Sequence, residues 1–283
     1  MPVEIEANER EILSKVELPP RPKALITITE ESKKPDPGFP AISHAIVEDV
    51  SISSAVLKVV NSPAFRRPNP ISAIDQALNM LGLKRVLSIV NAVSIRGAIK
   101  SNIDLEEFWE FGSTVANICV LIAKHLRKMA LLDDAYTLGL FHDAGVPVMM
   151  SQFDDYYDFF QFADAEGWTL SINREKDRYQ TTHTTIGALM AQEWSLPDHI
   201  VTAIYNLHYA NGIFGSDDID ESALTLLAIL KMAREIARIH LRNNAGNDEW
   251  VQIESEVLEY LGLNDDSYTD LKETVIESLN QSD

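Results

Sequence analysis

Cysteine is almost absent from this sequence of 283 residues, which contains a single one, Cys119. One thiol cannot form an intrachain disulfide, and such low cysteine usage is typical of proteins in reducing compartments. Long apolar runs are also missing, since no stretch approaches the ~20 residues that a transmembrane helix needs. The first residues, Met1 to Glu6, include neither a basic residue nor an apolar core, so we expect no secretory signal. These absences predict a cytoplasmic protein that does not contact a membrane.

Positive charge is scarce in the chain. The 24 lysine and arginine residues are outnumbered by 43 aspartate and glutamate residues, which gives a formal net charge of −19. This surplus of negative charge repels a phosphate backbone, so neither DNA nor RNA is an expected partner. The hydrophobic share of 46 % and the charged share of 24 % are ordinary for a globular protein, and the length is sufficient for a substantial core.

Apolar residues recur at helical spacing along the whole length, and no convincing strand, repeat or low-complexity segment is present. The sequence therefore predicts an all-α fold. Ser51 or Ser53 is the expected cap of one N-terminal helix, and Ser72 to Asp75 has the spacing of a capping box. A loop is expected through Gly167 and Trp168. Other helices are predicted over residues 9–16, 83–99, 111–128, 153–165, 184–194, 197–208, 222–241, 249–261 and 268–279.

The most distinctive stretch runs from Thr137 to Met149, where His142 and Asp143 stand side by side near the end of an apolar helical run. Gly145 follows at the place where the helix is expected to stop. Neighbouring side chains on a helix diverge by about 100°, but beside a helix end both can reach one ion. Imidazole and carboxylate are usual ligands of hydrolytic metals. For an isolated His-Asp pair, the simpler interpretation is a histidine with its hydrogen bonds satisfied at a helix end, beside an aspartate that forms a turn.

The ordered motifs around this stretch resemble those of the HDOD domain and of the HD-superfamily helical bundle on which that domain is built. In the N-terminal half they are Leu18-Pro19 with Pro22, Asp36-Pro37, Ile46 with Asp49, Leu57 to Ser62, Ile71 to Ala77 and Met80 to Val86. In the second half they are Phe108-Trp109, Gly139 to Asp143, Thr182-His183 with Gly187, and Trp194 to Pro197 with Ala203 to His208. The resemblance covers roughly residues 10–240. It implies an N-terminal helical part over residues 1–100 and an HD-like bundle over 101–245. The two helices predicted after them form a C-terminal helical extension over 246–283.

The resemblance also implies which residues form the site. Catalytic HD proteins hydrolyse phosphoester bonds with one or two divalent metals, and their His-Asp pair is present here as His142 and Asp143. His183 and His208 match histidines that two-metal members use. These four residues are the candidate metal ligands, and together they could form a residual site of three histidines and one aspartate.

Two further positions depart from the catalytic pattern. Phe111 stands where an early histidine belongs, and Arg234 stands where a late helix carries an aspartate. Phenylalanine offers no lone pair, and arginine stays protonated at any working pH. One hypothesis is that the Arg234 guanidinium replaces the metal and pairs with Asp143 in a charge-assisted hydrogen bond. The alternative is that Arg234 is a solvated helix residue.

The remaining histidines and the cysteine have simpler explanations. His44, His125, His199 and His240 have charged or polar neighbours in sequence, and we interpret them as surface residues. Cys119 lies on an apolar stripe and is expected to pack in the core.

The sequence thus indicates an HDOD-type regulatory module of the kind that acts in bacterial signal transduction. It would bind a protein partner or a small anionic or nucleotide ligand without turnover. No cofactor is expected in that case. The rival interpretation is a metal-dependent phosphohydrolase that acts on a nucleotide-like phosphoester and holds iron, manganese or magnesium at His142, Asp143, His183 and His208. A third possibility is a structural scaffold with a vestigial pocket.

Overall fold

The structure, a computed structural model, describes Val16, Leu18, Phe65 and the ranges 23–62, 70–98, 104–209, 212–242 and 248–280. Every regular element in these ranges is a helix, so the predicted all-α fold is confirmed. The helix predicted over residues 9–16 falls, apart from Val16, outside the described residues. Within these ranges no helix combines the length and the apolar character that a bilayer-spanning segment requires. The chain divides into two compact units, residues 19–100 with 278–283 and residues 1–18 with 101–277.

The unit of residues 19–100 is a small helical bundle. Its described helices are α1 (Lys23–Ser32), α2 (Phe39–Val47), α3 (Val50–Val60), α4 (Ile74–Leu81) and α5 (Leu83–Ala98). Each helix turns one apolar stripe inward, as the three-to-four-residue spacing in the sequence requires. The side chains that fill this core include Leu25, Ile28, Ile42, Ile46, Val56 and Leu78.

Two capping predictions in this unit are wrong. Asp49 caps α3 instead of Ser51 or Ser53, because its carboxylate accepts the backbone N–H of Ser51 at 3.0 Å and that of Ile52 at 3.1 Å. Helix α3 therefore starts at Val50, so that Ser51 and Ser53 lie inside it. Helix α4 begins after Ala73 and has no side-chain cap, so no capping box starts at the preceding serine.

Asn61 ends α3 and fixes the loop behind it. Its side-chain N–H groups donate to the carbonyls of Leu57 and Ile71, and its side-chain oxygen accepts the N–H of Ile71, each at 2.8 Å. One amide side chain thus bridges positions ten residues apart.

The unit that contains residues 101–277 carries the larger bundle. Its helices are α6 (Glu106–His125), α7 (Leu132–Phe141), α8 (Gly145–Gln152), α9 (Tyr156–Glu166), α10 (Trp168–Tyr179), α11 (His183–Glu193), α12 (Asp198–Tyr205), α13 (Glu221–Arg242), α14 (Asp248–Leu261) and α15 (Asp265–Asn280), with short 3₁₀ turns at Met129–Leu131 and Ile213–Gly215. Helix α6 packs against α7 and α13, and α13 also contacts α12 and α14.

Helix α13 is buried along most of its length. Every side chain from Ala223 to Arg238 is buried, including the charged residues Lys231, Arg234 and Arg238. The apolar stripe that the sequence predicts accounts for only one side of this helix. Buried charges need partners, so α13 must be surrounded by groups that neutralise it.

Helix α10 was not predicted, because the sequence indicated a loop through Gly167 and Trp168 and no helix before Thr182. Gly167 has φ of +98° and separates α9 from α10, so one glycine turns the chain between two helices. The buried residues of α10 include Ser171 and Glu175 beside Trp168, and this polar inward face hides the helical pattern from a search for apolar periodicity.

The segment around His142 also differs from the expectation. Helix α7 ends at Phe141, residues 142–144 form a turn, and Gly145 starts α8 instead of ending a helix. A Cβ atom on Gly145 would lie 2.0 Å from the carbonyl oxygen of His183 and 2.7 Å from the backbone nitrogen of Gly187. Glycine is needed here because α8 and α11 approach backbone to backbone.

We therefore expect Gly145→Ala to lower the free energy of unfolding by about 1–3 kcal/mol or more, since neither backbone can yield locally. Urea denaturation measures the change. Gly112→Ala is the matched control, because no atom lies within 4 Å of its added Cβ and alanine is favoured over glycine inside a helix by about 0.5–1 kcal/mol. Equal stability of the two variants would contradict the close approach of α8 and α11.

Candidate functional site

The turn between α7 and α8 presents His142 in one defined orientation. Its ring is 1 % exposed, and Nδ1 lies 2.7 Å from the carbonyl oxygen of Gly139. Because a carbonyl can only accept, Nδ1 carries a proton, and Nε2 is the ring nitrogen that faces Asp143. Nε2 lies 3.1 Å from Oδ2 of Asp143 but has no hydrogen-bond partner.

Asp143 is held by an arginine from α13. Nη1 of Arg234 donates to Oδ2 at 2.8 Å, while Oδ1 has no hydrogen bond and lies 3.9 Å from Nε2 of His183. Burial alone would raise the pKa of Asp143, but the charge of Arg234 and then the contact with His142 outweigh it, so the pKa lies well below its usual value. For Arg234, burial lowers the pKa and Asp143 with Glu249 more than restores it. The pair is therefore fully ionised.

His183 is oriented by a buried carboxylate on α10. Glu175 is completely buried, and its carboxylate accepts the backbone N–H of His183 at 2.8 Å and the Nδ1 proton of the same ring at 2.9 Å. The hydroxyl of Tyr156 donates to the same carboxylate. With Nδ1 engaged, Nε2 of His183 points to Nε2 of His208, 3.1 Å away.

His208 is oriented in the same way by a residue of α14. Its Nδ1 lies 3.0 Å from Oε2 of Glu249, whose other oxygen accepts from Nζ of Lys231 at 3.1 Å. Burial is the main reason that the pKa of His208 falls to about 4, with Glu249 partly opposing it, so the ring is neutral near pH 7. Trp168 stacks on this ring with 5.0 Å between the centroids.

These contacts place every predicted site residue in one cluster. One ligand atom each from Asp143, His183 and His208 lies within 4.8 Å of the other two, and His142 adjoins them through Asp143. The Phe111 ring lies 6.4 Å from the His142 ring, and the guanidinium carbon of Arg234 lies 5.9 Å from the Phe111 centroid.

The sequence did not indicate the residues that orient this cluster. Glu175 lies on the helix that was not predicted, and Glu249 and Lys231 carried no motif. Two surface assignments also need correction, because His199 and His240 are half-buried. Nε2 of His199 lies 3.0 Å from Oδ2 of the buried Asp134. A buried acid far from its partner in sequence leaves no local pattern, so only the tertiary contacts identify it.

The cluster fits a divalent ion only in part. The Nε2 atoms of the three histidines and Oδ1 of Asp143 are suitable donors, since each Nδ1 is held by an acceptor as in metal-binding histidines. Arg234 does not fit, because it occupies the other oxygen of Asp143 and its positive charge repels a cation. Phe111 supplies no ligand. With Arg234 in place, the residues around the His142–Asp143 pair do not fit the metal of catalytic HD proteins.

Glu175→Ala should lower the free energy of unfolding by about 3 kcal/mol or more, because two N–H groups of His183 and the hydroxyl of Tyr156 would lose a buried acceptor. Chemical denaturation gives the value. Glu193→Ala, an exposed glutamate on α11, is the control and should change stability by no more than about 0.5 kcal/mol. A similar small change for Glu175→Ala would mean that the carboxylate does not hold the histidine.

The low pKa of His208 predicts a pH dependence of stability. Because its folded pKa is about 4 and that of a free histidine about 6.5, the unfolded chain binds the proton first as the pH falls. The contribution of His208 is complete above pH 6.5 and declines below it, by up to about 1.4 kcal/mol per pH unit. Thermal or urea unfolding between pH 7 and 5 should show this decline.

His208→Gln should reduce that slope, whereas His44→Gln, at an exposed position, should leave it unchanged. An identical slope in His208→Gln would assign the pH dependence to other groups.

Comparison with known proteins gives a family match and several structures with the same fold. The HDOD domain family matches residues 18–210, which is more than half of the chain. An uncharacterized protein of Treponema pallidum (strain Nichols) is 26 % identical over 198 residues; the match covers 69 % of this chain but only 39 % of that relative.

Two solved structures share the fold over nearly the whole chain. A candidate phosphohydrolase from Shewanella amazonensis SB2B is 26 % identical, with a TM-score of 0.70 and coverage of 96 % of this chain and 95 % of that one. An HDOD domain protein of unknown function from Geobacter sulfurreducens is 22 % identical, with a TM-score of 0.67 and coverage of 97 % and 95 %. Since the family match spans both the N-terminal helices and the histidine cluster, we conclude that the chain belongs to the HDOD domain family.

Proposed function

We propose that this HDOD protein is a regulatory module without turnover, in which an arginine occupies the place of a metal ion. Its function would be to bind a small anionic ligand or a protein partner and to transmit that binding as a signal. The observation that carries the proposal is the buried contact of Arg234 with Asp143 at 2.8 Å. A guanidinium there neutralises the carboxylate that an ion would need.

The energetics support this assignment. The side chains of Arg234 and Asp143 are 6 % and 12 % exposed, and breaking a buried ion pair typically costs about 3–5 kcal/mol. An ion that entered without displacing Arg234 would be repelled: two unit charges ~5 Å apart at an effective dielectric constant near 20 interact by ~3 kcal/mol, and a divalent ion carries twice the charge. Metal binding is therefore unfavourable whether the ion displaces Arg234 or enters beside it.

A metal-dependent phosphohydrolase is the second candidate, and one observation favours it. His183 and His208 both hold a proton on Nδ1 against a carboxylate, so in their neutral forms the two Nε2 lone pairs face each other at 3.1 Å. A cation between them would relieve this contact. In that case His142, Asp143, His183 and His208 would hold iron, manganese or magnesium, and the metal would supply Lewis acidity for phosphoester hydrolysis.

The proposal includes the type of partner and the cellular location of the module. The net charge of −19 suits a basic protein surface and opposes nucleic acid. A cytoplasmic location fits the single cysteine. Neither the Treponema relative, of which the chain matches 39 %, nor the Shewanella protein identifies a substrate or a partner for this chain.

We expect the purified protein to carry no stoichiometric iron, manganese or magnesium, even after incubation with each ion. Arg234→Asp should bind one of these ions, because it removes the repelling charge and adds a carboxylate beside Asp143. Elemental analysis after gel filtration without chelator measures the content. The effect should be a change from a small fraction to about one ion per chain.

The double variant Arg234→Asp with His142→Ala is the control and should lose the acquired metal. Near-stoichiometric metal in the unmodified protein that disappears in His142→Ala would overturn the proposal. It would instead support the phosphohydrolase and justify a screen of phosphoesters.

A further inference from the structure

A cleft opens beside the histidine cluster, within the unit that contains residues 101–277. It has a volume of about 580 Å³, which lies in the range of small-molecule sites. Asp143 and Phe111 form part of its wall, so the cleft adjoins the ion pair of Asp143 with Arg234. Two arginines of α13, Arg238 and Arg242, line another part of it.

The arginines form a row on α13 that is richer in positive charge than its direct partners can balance. Arg234, Arg238 and Arg242 are spaced four residues apart and therefore share one face of the helix. In the described part of the chain their ion pairs involve two carboxylates: Asp143 binds Arg234, and Asp164 is shared by Arg238 and Arg242. Three cations thus pair directly with two anions, and Glu249, whose charge also acts on Arg234 and Arg238, is already paired with Lys231.

Arg238 shows the shortage most clearly. It is 3 % exposed, and its Nε has no hydrogen-bond partner, although one terminal nitrogen donates to Asp164 at 2.8 Å. Burial is the main reason that the pKa of Arg238 is lowered; Asp164 and Glu249 oppose this effect, and the neighbouring Arg234 and Arg242 add to it. A second anion near this guanidinium would be stabilising.

Aromatic rings form the apolar part of the cleft. Phe108, Phe111, Tyr157 and Phe160 line it, and Phe108 and Phe160 meet edge to face at 6.0 Å. All but Phe111 are half-buried and keep some ring surface in contact with solvent. Half-buried rings of this kind can stack on a planar ligand.

The outer part of the cleft limits how much charge a ligand can carry. Asp104, Glu106 and Glu107 line it as exposed acids. They would repel a polyphosphate that extends beyond Arg238 and Arg242. The cleft thus combines a site for one anion with a surface for one ring.

We propose that this cleft binds a small ligand with one planar aromatic ring and a single phosphate or carboxylate group. The anionic group takes Arg238 and Arg242 over from Asp164, and the ring lies against Phe108 and Phe160. This inference rests on the proposed regulatory function, because it names the chemical class of the ligand that the module senses.

Titration calorimetry on the full chain tests the proposal with adenosine monophosphate, phenyl phosphate and indole-3-acetate as probes. At least one should bind saturably and about tenfold or more tighter than adenosine or inorganic phosphate, since each of these offers only half of the contacts. Adenosine triphosphate should bind more weakly than the monophosphate. A preference for the phosphates or for the carboxylate supports the proposal either way and identifies the anionic group.

Two variants should change the affinity of the best probe in opposite directions. Arg242→Gln should weaken binding by about tenfold or more because it removes a charged donor. Asp164→Asn should tighten binding because it removes the competing carboxylate. Arg178→Gln is the matched control: Arg178 is also a part-exposed arginine paired with an aspartate, but it does not line the cleft, and its variant should bind normally.

The proposal is overturned if no probe binds at millimolar concentration, if the half-ligands bind as well as the probes, or if Asp164→Asn weakens binding as Arg242→Gln does. Tighter binding of the triphosphate would also overturn it. Metal content, measured on the same samples, judges the proposed function separately. If the protein contains metal and binds a probe, the proposed metal-free function is contradicted but the proposed ligand class is supported. If the protein contains no metal and binds no probe, the ligand class is contradicted but the metal-free function is supported.

Discussion

The contact between Asp143 and Arg234 is the interaction on which the rest of the site depends. A buried carboxylate requires a cation, and in a catalytic HD protein that cation is a metal ion. Here α13 supplies a guanidinium at 2.8 Å, with Phe111 packed beside it. Because arginine keeps its charge at any working pH, the neutralisation does not depend on metal supply or on acidity. The turn after α7 and the middle of α13 are thereby held together.

The histidines around this pair are positioned by acids that are distant in sequence. Glu175 orients His183 from α10, and Glu249 orients His208 from α14. Glu249 lies beyond residue 210, where the family match ends, so the C-terminal helices contribute directly to the site. A ligand or ion that moved His208 would also disturb the contact of Glu249 with Lys231. This arrangement couples the cluster to a part of the chain that lies outside the family match.

The sequence predicts much of the fold but less of the site. Apolar periodicity is sufficient for an all-α fold, and motif resemblance is sufficient to bring His142, His183 and Arg234 into consideration. Helix α10 was not predicted because Glu175 stands on its inward face, where the pattern requires an apolar residue. A carboxylate is stable there only with partners from elsewhere in the fold. The role of Gly145 was not predicted for a similar reason, since a close approach between two helices does not change the spacing of apolar residues in the sequence. Tertiary partners, not local patterns, decide these features.

We propose that Arg234 occupies the place that a metal ion takes in catalytic HD proteins. Diffraction at the manganese absorption edge, from crystals soaked in manganese, tests it most directly. We expect no anomalous peak beside Asp143, and we expect the Arg234 guanidinium to remain within hydrogen-bond distance of that carboxylate. A manganese peak coordinated by Asp143 and the histidines, with Arg234 displaced, would contradict it.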